Sequence, residues 1–81
     1  MEWTVRNEAA TGGWVAEMIE AGFRVLSRPV NFGETRYIVK LGEDHVAFVQ
    51  APSRGRKFSI SVSTAGQQKI IAALIAVRVL V

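Results

Sequence analysis

The chain has 81 residues, ten Lys and Arg against seven Asp and Glu, one histidine and no cysteine. That length specifies one small domain spanning residues 1–81, with one core, near the size at which stability needs a partner or tight packing. The composition excludes disulfides, thiolate metal sites and thiol nucleophiles, and His45 alone cannot build a metal site, so no metal or cofactor is expected.

The opening stretch MEWTVRNEAA carries an acid at position 2 and no apolar run. It is unlike a secretory signal or an arginine-rich transit peptide, and the expected location is the cytoplasm. Within it, EWTVR alternates apolar and polar residues as a short edge strand does. TGGWVAEMIEAGF then places Trp14, Val15, Met18 and Ile19 on one helical face and Glu17 and Glu20 on the other. Thr11 is positioned to cap this helix, which the paired glycines push to start near Gly13, and Gly22 supplies the left-handed residue that ends it. A glycine pair ahead of a helix can cradle phosphate, but no lysine followed by serine or threonine comes after it.

Strand patterns follow. FRVLSRPV has a proline at 29 that places its end at an edge or a bend. ETRYIVKL turns Tyr37, Val39 and Leu41 one way and Arg36, Ile38 and Lys40 the other; HVAFVQA is apolar on both faces, as an interior strand is. KFSISVS turns Phe58, Ile60 and Val62 inward and Lys57, Ser59 and Ser61 outward. Turn residues separate these runs at Asn31 to Gly33, at Gly42 to Asp44 and in PSRGRK, residues 52–57. The strands read as an antiparallel meander of three or four members.

In STAGQQKIIAALIAVRVLV, Thr64 followed three residues later by Gln67 has the spacing of a capping box, and Ile70, Ile71, Leu74 and Ile75 give an apolar helical face. Beyond Lys69 the only polar side chain is Arg78, so the helix reads as apolar on nearly every side to residue 81. It is shorter than the ~20 residues that span a bilayer, and no membrane association is expected. A sheet and one other helix cannot cover it all, so Val77, Val79, Leu80 and Val81 are expected to face outward. They would form a homodimer interface or a docking surface with Arg78 at its rim.

These elements give an α+β fold, an antiparallel sheet of three to four strands with two helices packed on one face. Strand alternation then places Arg24, Arg28, Arg36, Lys40 and Lys57 on the open face, bordered by the PSRGRK loop with Arg54 and Arg56. Charge along the chain points the same way: residues 1–44 hold seven acids and five cations, net −2, and residues 45–81 hold five cations and no acid, net +5. Such asymmetry favours an anionic partner, nucleic acid or an acidic protein surface.

Catalysis finds no footing. Asp44 and His45 are adjacent and therefore point to opposite faces of a strand, and Ser59, Ser61 and Ser63 lie on a solvent face. A nucleophile, a base and an oxyanion donor cannot be assembled, so no enzyme is expected.

In layout, helix, strands and helix, with FRVLS and TRYIVKL as the first two strands, the chain resembles double-stranded-RNA-binding domains. That family binds through a lysine-rich start of its last helix and a histidine-bearing loop between its first two strands. Here TAGQQK holds one lysine and RPVNFGE holds no histidine, and KFSISVS is an additional strand. In size, lack of cysteine, the cations of PSRGRK and the absence of a catalytic motif, the chain is also similar to the small inhibitors that phages and mobile elements encode, anti-CRISPR proteins among them. This resemblance implies a non-catalytic protein-binding module, an inhibitor or adaptor that occupies a surface of a larger nucleic-acid-handling protein or ribonucleoprotein complex. The alternative is a direct nucleic-acid-binding domain, with Phe48 as the candidate ring for base stacking.

Overall fold

The computed structural model describes residues 1–6, 12–50 and 56–81, the side chain of Arg56 excepted. Along the chain run β1 (Glu2–Val5), α1 (Gly13–Glu20), β2 (Arg24–Pro29), β3 (Thr35–Leu41), β4 (Asp44–Gln50), β5 (Arg56–Ser59) and α2 (Ala65–Ala76). The content is mixed α+β, but the strands form two antiparallel sheets: β2-β3-β4 and β1-β5.

The three-stranded sheet is the expected meander, with β3 at its centre. β4, whose sequence is apolar on both faces, is an outer strand in this order. KFSISVS does not extend it as a fourth strand. Its first residues pair instead with β1, Thr4 opposite Lys57, Trp3 opposite Phe58 and Glu2 opposite Ser59. The cause is the apolar face of β1: Trp3 and Val5 are buried and need a neighbouring strand whose alternate side chains, Phe58 and Ile60, enter the same core.

α1 ends as its sequence indicates. The Phe23 N–H donates to the Met18 carbonyl (3.0 Å) and the Gly22 N–H to the Ile19 carbonyl (3.0 Å), with Gly22 at φ 97°. This is the two-bond stop that a left-handed residue allows, and Phe23 and Met18 both enter the core. At the other end, Gly12 occupies the cap position without a side-chain hydrogen bond, while Thr11, the expected cap, lies outside the described residues.

The cap of α2 forms as predicted. The Gln67 N–H donates to Thr64 Oγ1 (3.0 Å) and the Thr64 N–H donates to Gln67 Oε1 (3.3 Å). The box is also fastened to β4: Thr64 Oγ1 donates to Asp44 Oδ1 (2.7 Å) and Gln67 Nε2 donates to the His45 carbonyl (3.3 Å). Asp44 crowds the first turn so closely that a Cβ at Gly66 would collide with its carboxylate. Glycine is therefore kept inside a helix, where it ordinarily weakens the element by about 1 kcal/mol relative to alanine.

The end of the chain departs from expectation. α2 stops at Ala76 rather than running to residue 81, and Arg78 takes a left-handed conformation at φ 64°. The Arg78 N–H donates to the Ile75 carbonyl (3.0 Å) and the Val79 N–H to the Leu74 carbonyl (2.9 Å), the same stop as in α1 with arginine where glycine is usual. The tail then turns back along β1: the Val81 N–H donates to the Thr4 carbonyl (2.9 Å), the Thr4 N–H to the Val81 carbonyl (3.3 Å) and the Arg6 N–H to the Val79 carbonyl (2.9 Å).

β1 is thus flanked on both sides instead of lying at an edge. Val79 and Leu80, expected to face outward, are 0% exposed, Val77 is half-buried, and of the four only Val81 stays open, at 58%. A continued helix would have left this apolar run in water; the turn at Arg78 places two of its side chains in the core and satisfies the tail's backbone. Among the described residues no helix is long and apolar enough to cross a membrane.

The tail supplies a direct test. Leu80→Asp should destabilise the chain by more than about 3 kcal/mol, because it buries a carboxylate with no partner. Val81→Asp, one residue on, should shift stability by no more than about 0.5 kcal/mol. Urea denaturation followed by circular dichroism distinguishes the two; a folded, monomeric Leu80→Asp variant would return the tail to the surface.

Candidate functional site

β3 sorts its side chains by alternation. Val39 is buried and Tyr37 and Leu41 pack against the core, while Arg36 is exposed and Ile38 and Lys40 are half-exposed. Pairing with β2 sets Arg24 opposite Lys40, Leu26 opposite Ile38 and Arg28 opposite Arg36. Pairing with β4 adds His45 beside Lys40, Ala47 beside Ile38 and Val49 beside Arg36. Three rows therefore cross the open face: Arg24, Lys40 and His45; then Leu26, Ile38 and Ala47; then Arg28, Arg36 and Val49.

Neighbouring rows are two residues apart along each strand, about 7 Å, and the two cationic rows about 14 Å. An apolar strip lies between them, with Leu26 exposed and Ile38 and Ala47 partly so. A hollow of about 350 Å³ is lined by Leu26, Ser27, Arg28, Arg36 and Ile38. No acid stands in register with any of these cations: arginine faces lysine at one end and arginine faces arginine at the other. Such pairs repel across a ladder and so cost the sheet stability where they face each other.

Of the expected site residues, Arg24, Arg28, Arg36 and Lys40 are brought together here. Lys57 is exposed but belongs to β5 and its separate ladder with β1, so it is not part of this sheet's face. Arg56 stands in β5 opposite Val5, and Arg54 lies outside the described residues. His45 joins the face by the same alternation that sends Asp44 to the α2 cap. The two neighbours are separated, as their adjacency predicts.

Phe48, the expected stacking ring, is 3% exposed and packs against Tyr37 (ring centroids 5.5 Å) and Trp14 (5.8 Å), while Trp14 meets Tyr37 edge-on at 4.9 Å. It points to the core because it shares a face with Val46, two residues earlier. A different ring is open. Phe32, in the single turn Asn31–Gly33 between β2 and β3, is 99% exposed.

Its backbone is left-handed, at φ 62° and ψ 34°, a conformation costing a residue with a side chain ~1–2 kcal/mol. The turn is closed by two backbone bonds, the Val30 N–H to the Glu34 carbonyl (2.9 Å) and the Glu34 N–H to the Asn31 carbonyl (3.3 Å). In the sequence NFG reads only as a turn, and the one further signal is a phenylalanine where turns place small or polar residues.

Elsewhere, a hollow of about 550 Å³ beside α2 is lined by Trp3, Ile60, Ile71 and Ile75 with Ser61 and Gln68 among others, and among the described residues no titratable side chain lines it. Among the described residues there is no group of three His, Asp or Glu that could hold a metal ion.

The like-charge pairs predict their own stability effect. Arg36→Glu should stabilise the fold by about 0.2–1 kcal/mol, since it turns a repulsive cross-strand pair with Arg28 into an attractive one. Arg28→Glu with Arg36→Glu should return to near the parental value. Urea midpoints at low ionic strength measure both, and the gain should shrink in high salt; a loss with Arg36→Glu would mean that these arginines support the sheet. No protein-family model matches this chain, and no curated protein or solved structure matches it either.

Proposed function

We propose that the protein is a non-catalytic binding module that docks the open face of its three-stranded sheet against an acidic surface of a larger protein. In this reading both helices cover one face of the sheet and leave the other for the partner. The observation that carries it is the register: two cationic rows with no opposing acid, separated by an exposed apolar strip. Unneutralised like charges held in register cost folding energy, and an anionic partner is the compensation they fit. The apolar strip adds the desolvated centre that protein interfaces use, with the cations as its polar rim.

The module acts by occupancy, as an inhibitor or adaptor on a nucleic-acid-handling complex in the cytoplasm, the role implied by its likeness to small phage-encoded inhibitors. A direct nucleic-acid binder is the second reading. The added His45 in the upper row favours it, but the inward rings of Tyr37 and Phe48 speak against it, because single-strand readers keep such rings on the sheet surface for stacking.

The test compares capture of proteins from nuclease-treated host extract by the parent chain and by two charge-reversed forms, Arg24→Glu/Lys40→Glu and Arg28→Glu/Arg36→Glu. A partner retained by the parent and lost by both variants, with melting temperatures preserved, is the expected outcome. Free duplex or single strands should bind poorly at physiological salt. Tight binding to naked nucleic acid, with affinity falling at a log-log slope near −0.9 per phosphate on duplex DNA, would replace this reading with the second.

A further inference from the structure

The turn between β2 and β3 belongs to the same surface. Pro29 and Thr35 close the ladder at this end, and the preceding pair is Arg28 with Arg36. A partner that reaches the turn therefore meets, in order, the Phe32 ring, two guanidinium groups, the Leu26 and Ile38 strip, and the Arg24 and Lys40 pair. The ring does not hang from a loose loop: two backbone hydrogen bonds close the turn beneath it. A hollow of about 460 Å³ adjoins the turn, lined by Val30, Asn31, Glu34, Arg36, Val49 and Phe58 among others, so a ligand that reaches the turn also meets apolar side chains there.

We infer that this surface reads an extended acidic-apolar segment of the partner protein, with Phe32 as its anchor. The inference rests on the protein-binding reading of the open face and adds the ligand's pattern. Cationic rows about 14 Å apart, with an apolar row midway, match an extended chain carrying carboxylates at positions i and i+4 and an apolar side chain at i+2. Arginine forks bind such carboxylates in bidentate fashion, and Arg28 and Arg36 are exposed to do so. Beyond the first acid, Phe32 offers an exposed ring that an apolar side chain of the same segment can cover, removing both from water at the end of the face. A lipid surface fits less well, because a ring inserted from the turn would leave Arg24 and Lys40 about 14 Å further from the headgroups than Arg28 and Arg36. Nucleic acid fits less well because the rings of the sheet itself, Tyr37 and Phe48, pack on the core side and not between the cationic rows.

The experiment selects random 12-residue peptides displayed on a surface against the intact chain, then measures a synthetic copy of the enriched sequence by fluorescence anisotropy. Enrichment of acid-x-apolar-x-acid, with affinity falling at least tenfold for Phe32→Ala and for Arg28→Glu/Arg36→Glu, is expected. Phe32→Leu should retain most of the binding, and melting temperatures of all three variants should show them folded. Peptides lost with the arginines but bound equally by Phe32→Ala would overturn the anchor and leave the face reading intact. A library without this pattern would overturn the ligand pattern, while host-protein capture that still depends on both cationic rows would uphold the face. Capture indifferent to the charge reversals would remove the face reading itself. Single-stranded DNA, or vesicles of phosphatidylcholine with phosphatidylserine, binding more tightly than any peptide and dependent on Phe32 would reassign the ring to nucleic acid or lipid.

Discussion

The alternation of β3 is the constraint on which both the core and the candidate site depend. Its even and odd positions carry incompatible chemistry: Val39 is fully buried, while Arg36 and Lys40 must reach water. A slip of one residue against either neighbour would turn arginines and lysine towards Ile70 and Leu74 and expose Val39 and Val46. Burying even one unpaired cation costs several kcal/mol, comparable with the whole stability of a small domain. The cations on the open face therefore exclude wrong registers even while those facing each other repel.

A second device fixes the upper end of that face. The α2 cap is shared with β4, since Thr64 holds both the Gln67 amide and the Asp44 carboxylate, and Gln67 reaches the His45 carbonyl. Asp44 also brings a negative charge to the amino end of α2, where the helix dipole favours it. With Asp44 committed to this junction, alternation leaves His45 on the opposite side in the row of Arg24 and Lys40. Gly66 is the counterpart of this arrangement, because only a residue without a side chain leaves room for the carboxylate.

Local patterns were legible in the sequence and long-range pairings were not. The Thr64 and Gln67 spacing, the left-handed Gly22, the three strands of the meander and the inward set Tyr37, Val39 and Leu41 all follow from chemistry within a few residues. The partner of β5 does not, because KFSISVS is equally suited to β1 or to the edge of the meander, and the choice is made by the buried Trp3 and Val5 far away in the chain. The end of α2 was hidden for another reason: Arg78 takes the left-handed position that glycine usually announces, so nothing local marks the stop. Four of the expected face residues, Arg24, Arg28, Arg36 and Lys40, needed only the strand period. Phe32 needed the turn's closed geometry, and Phe48 was misjudged because an apolar strand does not say which of its faces is the wet one.

Charge along the chain also reads differently once folded. The acid-free half, residues 45–81, holds net +5, yet Arg24, Arg28, Arg36 and Lys40 come from residues 1–44, the half whose net charge is −2. Two acids of that half lie well away from them, whereas Glu34 lines a hollow together with Arg36. Glu17 and Glu20 are exposed on α1, and α1 packs its buried Trp14 against Tyr37 and Phe48, on the core side of the sheet. Folding thus separates charges that are interleaved in the sequence, sending these acids to the helix and these cations to the opposite sheet face. For the acidic partner proposed above, this separation would favour encounters on the cationic face.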